Sequence, residues 1–225
     1  MSDKFELYDI LSVFIPGTLL LSLIAMGFPA VDARIAAVKF PEAFSVICLI
    51  VLAAFLGHLV QAITSLIEPA LEWTWGGRAS ERALRAGLGE RYLPLEAAKR
   101  IKLKLVRGAG PDESDRSLFL YAMQMAETSS NARVAKFNGL YAYHRAMFTL
   151  IFIAILLFLA AMRWGAVSHW PGSEKIEILI GGVILLLVIW RRTKQRAFYY
   201  VREVLSTAER LIDEKPQAVT DGARS

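Results

Sequence analysis

Apolar residues gather in four runs, Ile10–Phe28, Phe44–Ile67, Ala146–Met162 and Ile176–Trp190, separated by segments in which charge dominates. The run Ala146–Met162 is 17 residues without a charge, bordered by Tyr141, Tyr143 and Trp164 as interfacial rings, and it reads as a membrane-spanning helix. Upstream of it Val134, Phe137, Tyr141, His144 and Phe148 recur at spacings of three and four, one face of a helix. The pattern therefore predicts one unbroken helix from about Asn131 to Trp164, roughly 50 Å long at ~1.5 Å per residue. The fourth run is short and contains Glu177, so it needs Lys175, Glu177 and Arg191 to reach outward or the bilayer to thin. Counting all four runs, the expected fold is an all-α membrane protein with four transmembrane helices, about 10–28, 44–67, 146–162 and 176–190, plus a cytoplasmic helical domain.

The segments between the runs carry their own signals. Residues 1–67 form an N-terminal hairpin of two spans, entered through the aromatic turn Phe5–Asp9 and joined by a loop between Pro29 and Pro41. Pro16 has no N–H for the carbonyl of Ser12, so Pro16-Gly17 predicts a kink in the first span, as a packing feature or as a gating hinge. Residues 68–145 are a charged helical insertion: Gly76-Gly77 breaks the chain after Trp73 and Trp75, Ser80 is positioned to cap a short helix, and Gly108–Pro111 ends the segment Glu96–Arg107. That segment has helical spacing in Ala97, Ile101 and Leu105 but also alternates as a strand would; helix is preferred. Residues 146–190 hold the second hairpin. In 191–214 Phe198, Val201, Leu205, Ala208 and Ile212 form an apolar stripe at helical spacing, which needs a partner, most simply the insertion. The tail 215–225 is polar and expected to be disordered.

Charge sets the orientation. The 225-residue chain has 26 basic and 21 acidic residues and a formal net charge of +5, but 13 of the basic residues lie between the second and third runs and eight after the fourth. Only Arg34, Lys39, Arg163 and Lys175 fall in the two short loops of the other side, so the positive-inside rule places both termini and the insertion in the cytoplasm, with the spans in the cell inner (plasma) membrane. The leader holds Asp3, Glu6 and Asp9 against Lys4, which does not read as a cleaved signal peptide. A single cysteine, Cys48, provides neither a disulfide nor a cysteine-based zinc site.

Candidate chemistry is sparse. No H-E-x-x-H, P-loop, GxGxxG or GxSxG occurs, and His58, His144 and His169 are far apart. Arg163 and His169 have the spacing of one class of helical ribonucleases but lie in the outer loop. No cofactor, metal or catalytic residue is expected, and the chain reads as a non-enzyme. Near the end of the second span Gly57, His58, Gln61 and Thr64 form an intramembrane polar cluster, either interhelical hydrogen bonding or, through a titrating His58, an ion pathway. The basic run Lys99, Arg100, Lys102, Lys104 and Arg107 suits a surface drawn to anionic headgroups; specific nucleic-acid binding is not expected.

Tyr8-Asp9 before Pro16-Gly17, Gly57-His58-x-x-Gln61, and Phe137-x3-Tyr141-x3-Arg145 together resemble a group of uncharacterised bacterial four-span membrane proteins with a helical cytoplasmic insertion. The resemblance covers most of the membrane part. It implies a fold and no settled activity, and by analogy of layout it points toward membrane sensors or effectors of bacterial antiphage defence. The expected function is a sensor or effector, assembled as a homo-oligomer in the lipid bilayer, whose cytoplasmic domain receives a signal. A membrane scaffold holding a soluble cytoplasmic partner is one alternative, and a small channel or transporter using His58 and Gln61 is another.

Overall fold

The computed structural model describes residues 10–36, 41–129 and 132–221, and among them it is helical with no strand. A π-helical turn, Ile10–Phe14, leads into α1 (Ile15–Gly27), followed by α2 (Pro29–Ala36), α3 (Glu42–Trp73), α4 (Ala79–Ala86), α5 (Leu95–Ala109), α6 (Asp115–Thr128), α7 (Ala132–Trp164) and α8 (Gly172–Asp221). The chain divides into two compact units: residues up to Ile67 with Ala142–Thr193, and Glu68–Tyr141 with the chain from Lys194 onward. The divisions at Ile67, Tyr141 and Thr193 fall inside α3, α7 and α8.

Among the described residues two helices are long and apolar enough to cross a membrane, Phe44–Trp73 within α3 and Ala132–Trp164, which is α7. The other two apolar runs fall short of the expected four. The first becomes a π turn continuous with α1, an apolar helix over Ser12–Gly27, which at ~1.5 Å per residue covers about 24 Å of the ~30 Å hydrocarbon core. The last is the opening part of α8, where Glu177 and Arg191 leave only Ile178–Trp190 free of charge. The segment after Pro29 is also not a loop, since Pro29 opens α2 at a position where a missing N–H costs nothing. The expected leader turn Phe5–Asp9 lies outside the described residues, as do 222–225. From Lys215 to Asp221, where disorder is expected, α8 continues.

In the first unit α1 packs on α3 at backbone distance. A Cβ on Gly17 would land on the carbonyl oxygen of Ala53, and one on Gly57 would land on the carbonyl of Val13. Only residues without a side chain allow this approach, as in membrane helix pairs generally. Around the crossing Leu20, Val60, Ala146 and Leu150 form a buried core, with Ile24, Leu56, Met147, Ile153 and Leu157 against it.

The second unit is a helical bundle whose core follows the sequence pattern with small changes. In α5 the inward row is Ala98, Ile101 and Leu105, one position away from Ala97, and the residues alternate as a helix rather than a strand because Leu103 is exposed. Gly87, at φ 69°, ends α4, and its Cβ would crowd the carbonyl of Leu93 at 2.7 Å. Ser80 lies inside α4 and does not cap it; Arg78 stands at the N-cap without a side-chain capping bond. Ser114 does cap α6, accepting from the Ser117 N–H at 3.1 Å. From α8, Phe198, Val201, Leu205 and Ala208 are buried together with Val204, and Ile212 is half-buried.

The glycine crossing makes a direct prediction. Gly57→Val forces α1 off α3 and should cost at least ~1–3 kcal/mol, because the clash is with backbone. Gly181→Ala, where a Cβ meets nothing within 4 Å, should be neutral or gain up to ~1 kcal/mol of helix propensity. Thermal unfolding of detergent-solubilised protein compares the two; equal midpoints would refute the packing account.

Candidate functional site

Two sets of polar residues stand out, one in each unit. In the first, the missing N–H of Pro16 and the polar face of α3 turn out to be one feature. The Ser12 carbonyl, which Pro16 has no proton to reach, accepts a hydrogen bond of 2.8 Å from Gln61 Nε2. The π turn immediately before α1 is where the backbone accommodates Pro16. Gln61 thus ties the irregular start of α1 to α3, one turn from Gly57, whose bare backbone brings the two helices together.

Thr64 continues this inward face and is fully buried. Its hydroxyl lies 2.7 Å from the Val60 carbonyl and 2.8 Å from Thr149 Oγ1, while Thr149 donates to the Arg145 carbonyl at 3.2 Å. One hydroxyl carries one proton, so Thr64 serves Val60 or Thr149 at a given moment. Thr193 of α8 donates to the Ile189 carbonyl at 2.8 Å and lies 3.2 Å from the His144 carbonyl of α7. Three buried threonines therefore link α3 to α7 and α7 to α8. Thr149 and Thr193 are absent from the sequence-derived cluster, although a lone threonine inside Ala146–Met162 is a readable signal.

His58 does not belong with the others. It is exposed, whereas Gly57 and Thr64 are buried and Gln61 is half-buried, so the four-residue cluster resolves into three inward positions and one outward. Among the described residues no group of three His, Cys, Asp or Glu side chains could hold a metal ion.

In the second unit the basic run of α5 is largely neutralised. Arg100 meets Glu209 at 2.8 Å, Lys104 meets Glu209 at 2.9 Å and Asp213 at 2.8 Å, Lys102 meets Asp115 at 2.6 Å, and Lys99 meets Glu96 at 3.0 Å. Arg107 is exposed. Lys99, Arg100, Lys102 and Lys104 are therefore not an open basic surface; Arg100 and Lys104 fasten α5 to α8, and Lys102 fastens it to α6. Burial pushes the Glu209 carboxyl upward, but hydrogen bonds from Arg100 and Lys104 and their charges outweigh it and hold the group below the usual carboxylate range. The Glu209 contact raises Arg100, and hydrogen bonds to Asp213 and then Glu209 raise Lys104.

A different group of cations rests on rings. Tyr92 meets Phe198 edge-on at 5.4 Å and Tyr199 at 5.2 Å, and Phe137 stacks on Tyr199 at 6.0 Å. Arg82 and Lys194 sit over the Phe198 ring at 5.8 and 5.7 Å, Arg91 over Tyr92 at 5.7 Å, and Arg202 over Tyr199 at 5.8 Å. Arg82 also donates to the carbonyl of Trp75. Burial, then the charge of Arg82, holds the Lys194 ammonium below its ordinary value. The sequence signal for this cluster is the triplet Phe198-Tyr199-Tyr200 flanked by Lys194, Arg196 and Arg202.

No family model, no curated protein and no solved structure matches the chain.

Glu209 gives the second unit an acid dependence whose sign follows from its depressed value. The folded carboxyl titrates below the unfolded one, so its stabilisation is full above about pH 4.5 and is lost as pH falls through the lower folded value. Thermal unfolding of the wild type should lose midpoint over that window, and Glu209→Gln should be lower at pH 7 and flatter in acid. A variant with an unchanged acid slope would remove Glu209 from this role.

Proposed function

We propose that the chain is a non-enzymatic, multi-pass membrane protein acting as a sensor or effector, with its first unit in lipid and its second in the cytoplasm. The observation that carries this reading is how exposed apolar side chains are distributed. Among the described residues the exposed large apolar side chains include Phe44, Ile47, Ile50, Val51, Phe55 and Leu66 of α3, Leu156 and Leu159 of α7, and Ile176, Ile180, Ile184, Leu187 and Val188 of α8, all in the first unit. The second unit contributes only Trp73, Leu95, Leu103 and Leu120. An apolar surface of this extent needs lipid or a protein partner.

The four-span topology with both termini inside belongs to this proposal. It assigns α1 and the start of α8 to the membrane as short elements beside α3 and α7, supported by their exposed apolar side chains and the placement of basic residues. The outward faces of α8 also favour a homo-oligomer. Signal transfer is supported by the continuity of α3, α7 and α8 through the unit divisions, since an unbroken helix needs no hinge to pass on a displacement. The channel reading loses its main residues: His58 is outward, and Gln61 is engaged by the Ser12 carbonyl. A scaffold for a soluble partner is compatible with the same architecture, and the defence assignment rests on the resemblance alone.

Membranes from expressing cells provide the test. The protein should stay in the pellet through alkaline carbonate and come out in detergent, and a reporter active only in the periplasm should be silent when inserted after Gly110 or fused after Lys215. Recovery in the carbonate supernatant overturns the membrane reading; an active reporter at either position overturns the orientation.

A further inference from the structure

The exposed side chains near the end of α7 are not scattered. From Phe152 to Arg163 they are Phe152, Leu156, Leu159 and Arg163, at spacings of four, three and four, which is one face of a helix. On α8 a run with the same spacings, Leu185, Gly181, Ile178 and Glu174 counted backward in steps of four, three and four, is also exposed and also shares one face.

Two contacts inside the chain set these antiparallel helices against each other. The Thr193 hydroxyl lies 3.2 Å from the His144 carbonyl, and a Cβ on Gly182 would lie 3.3 Å from Ile155 Cγ1. The two contacts are equally far apart along each helix, so both give one register. Counted from them, Phe152, Leu156, Leu159 and Arg163 stand level with Leu185, Gly181, Ile178 and Glu174 respectively. Copies related by rotation about an axis along the helices keep every residue at its own level, so the α8 face of one copy meets the α7 face of the next with these levels preserved.

Charge and shape at those levels favour a second copy over lipid as the occupant. Arg163 and Glu174 are exposed, opposite in charge and level with each other, and neither makes an ion pair among the described residues. A glycine inside a helix costs ~1 kcal/mol relative to alanine. Gly17 and Gly57 offset that cost by letting α1 and α3 approach, whereas a Cβ on Gly181 would meet nothing within 4 Å of its own chain. Its bare backbone faces outward, level with Leu156, where a neighbouring helix can come close. Lipid tails would cover the aliphatic residues, but they neither pair the charges nor need the glycine.

We propose that the protein assembles with itself by seating the Glu174–Leu185 face of α8 on the Phe152–Arg163 face of α7 in the neighbouring copy, with Gly181 against Leu156 and Glu174 facing Arg163. This contact rests on the homo-oligomer reading above and gives it its two surfaces.

The test is disulfide trapping in membranes between two differently tagged, co-expressed copies of the full chain, both carrying Cys48→Ala. With Leu156→Cys in one copy and Gly181→Cys in the other, a mild oxidant should give a crosslinked dimer bearing both tags. Replacing Gly181→Cys by Val183→Cys, at an exposed position on another side of α8, should lower the yield at least about fivefold, because a disulfide tolerates little misplacement. Arg163→Glu in both copies should lower it about threefold, and adding Glu174→Arg should restore it. Co-purification of tagged copies without introduced cysteines, in maltoside, should follow the same order for the charge variants. Equal trapping of Leu156→Cys with itself, or of Gly181→Cys with itself, overturns the α8-on-α7 contact, and a yield unchanged by Arg163→Glu overturns its register. Neither trapping nor co-purification overturns self-assembly and leaves these faces to lipid or another protein; retention in the carbonate pellet would then keep the membrane reading standing without it.

Discussion

The backbone contact between α1 and α3 is the constraint from which the first unit is built. Gly17 and Gly57 bring main-chain atoms to a distance that any side chain would forbid, each against the partner helix's carbonyl or amide. That closeness lets Gln61 reach the Ser12 carbonyl, which Pro16 leaves without its usual donor. A proline that would weaken an isolated helix is thereby offset by a side chain on its neighbour. The same face of α3 carries Thr64 to Thr149, so the polar groups within this apolar unit are met by one another rather than by water.

In the second unit the arrangement of charge matters more than its amount. Glu209 draws Arg100 and Lys104 of α5 onto α8, next to the buried side chains of Val204, Leu205 and Ala208. Ion pairs at this degree of exposure contribute modestly to stability, and the apolar stripe supplies the larger share of the packing. The pairs do, however, decide which cations remain available. Those opposite carboxylates are committed, whereas Arg82, Arg91 and Arg202 lie over rings.

The two units differ in what they present to their surroundings. Exposed aliphatic side chains on α3, α7 and the start of α8 belong to the first, and paired charges belong to the second. That division is what the proposed membrane reading rests on.

How much of this was legible in the chain depends on the range of the interactions. Hydrophobic periodicity is local, so the long helix Ala132–Trp164, the helical choice for the Glu96–Arg107 segment and the stripe Phe198–Ala208 could be read directly. Proline chemistry is local too, and Pro16 marked the irregular turn. What lay beyond the sequence was which groups meet across distance. A run of bases at Lys99–Lys104 looks like an open surface until Glu209 and Asp213, more than a hundred positions later, are brought beside it. His58 shares a polar stretch with Gly57 and Gln61, but it points about 100° from its neighbour Gly57, and only packing determines which side of α3 faces inward. The cations on Phe198 and Tyr199 come from α4 and α8, and the tertiary structure alone unites them, because ring contacts have no sequence spacing of their own.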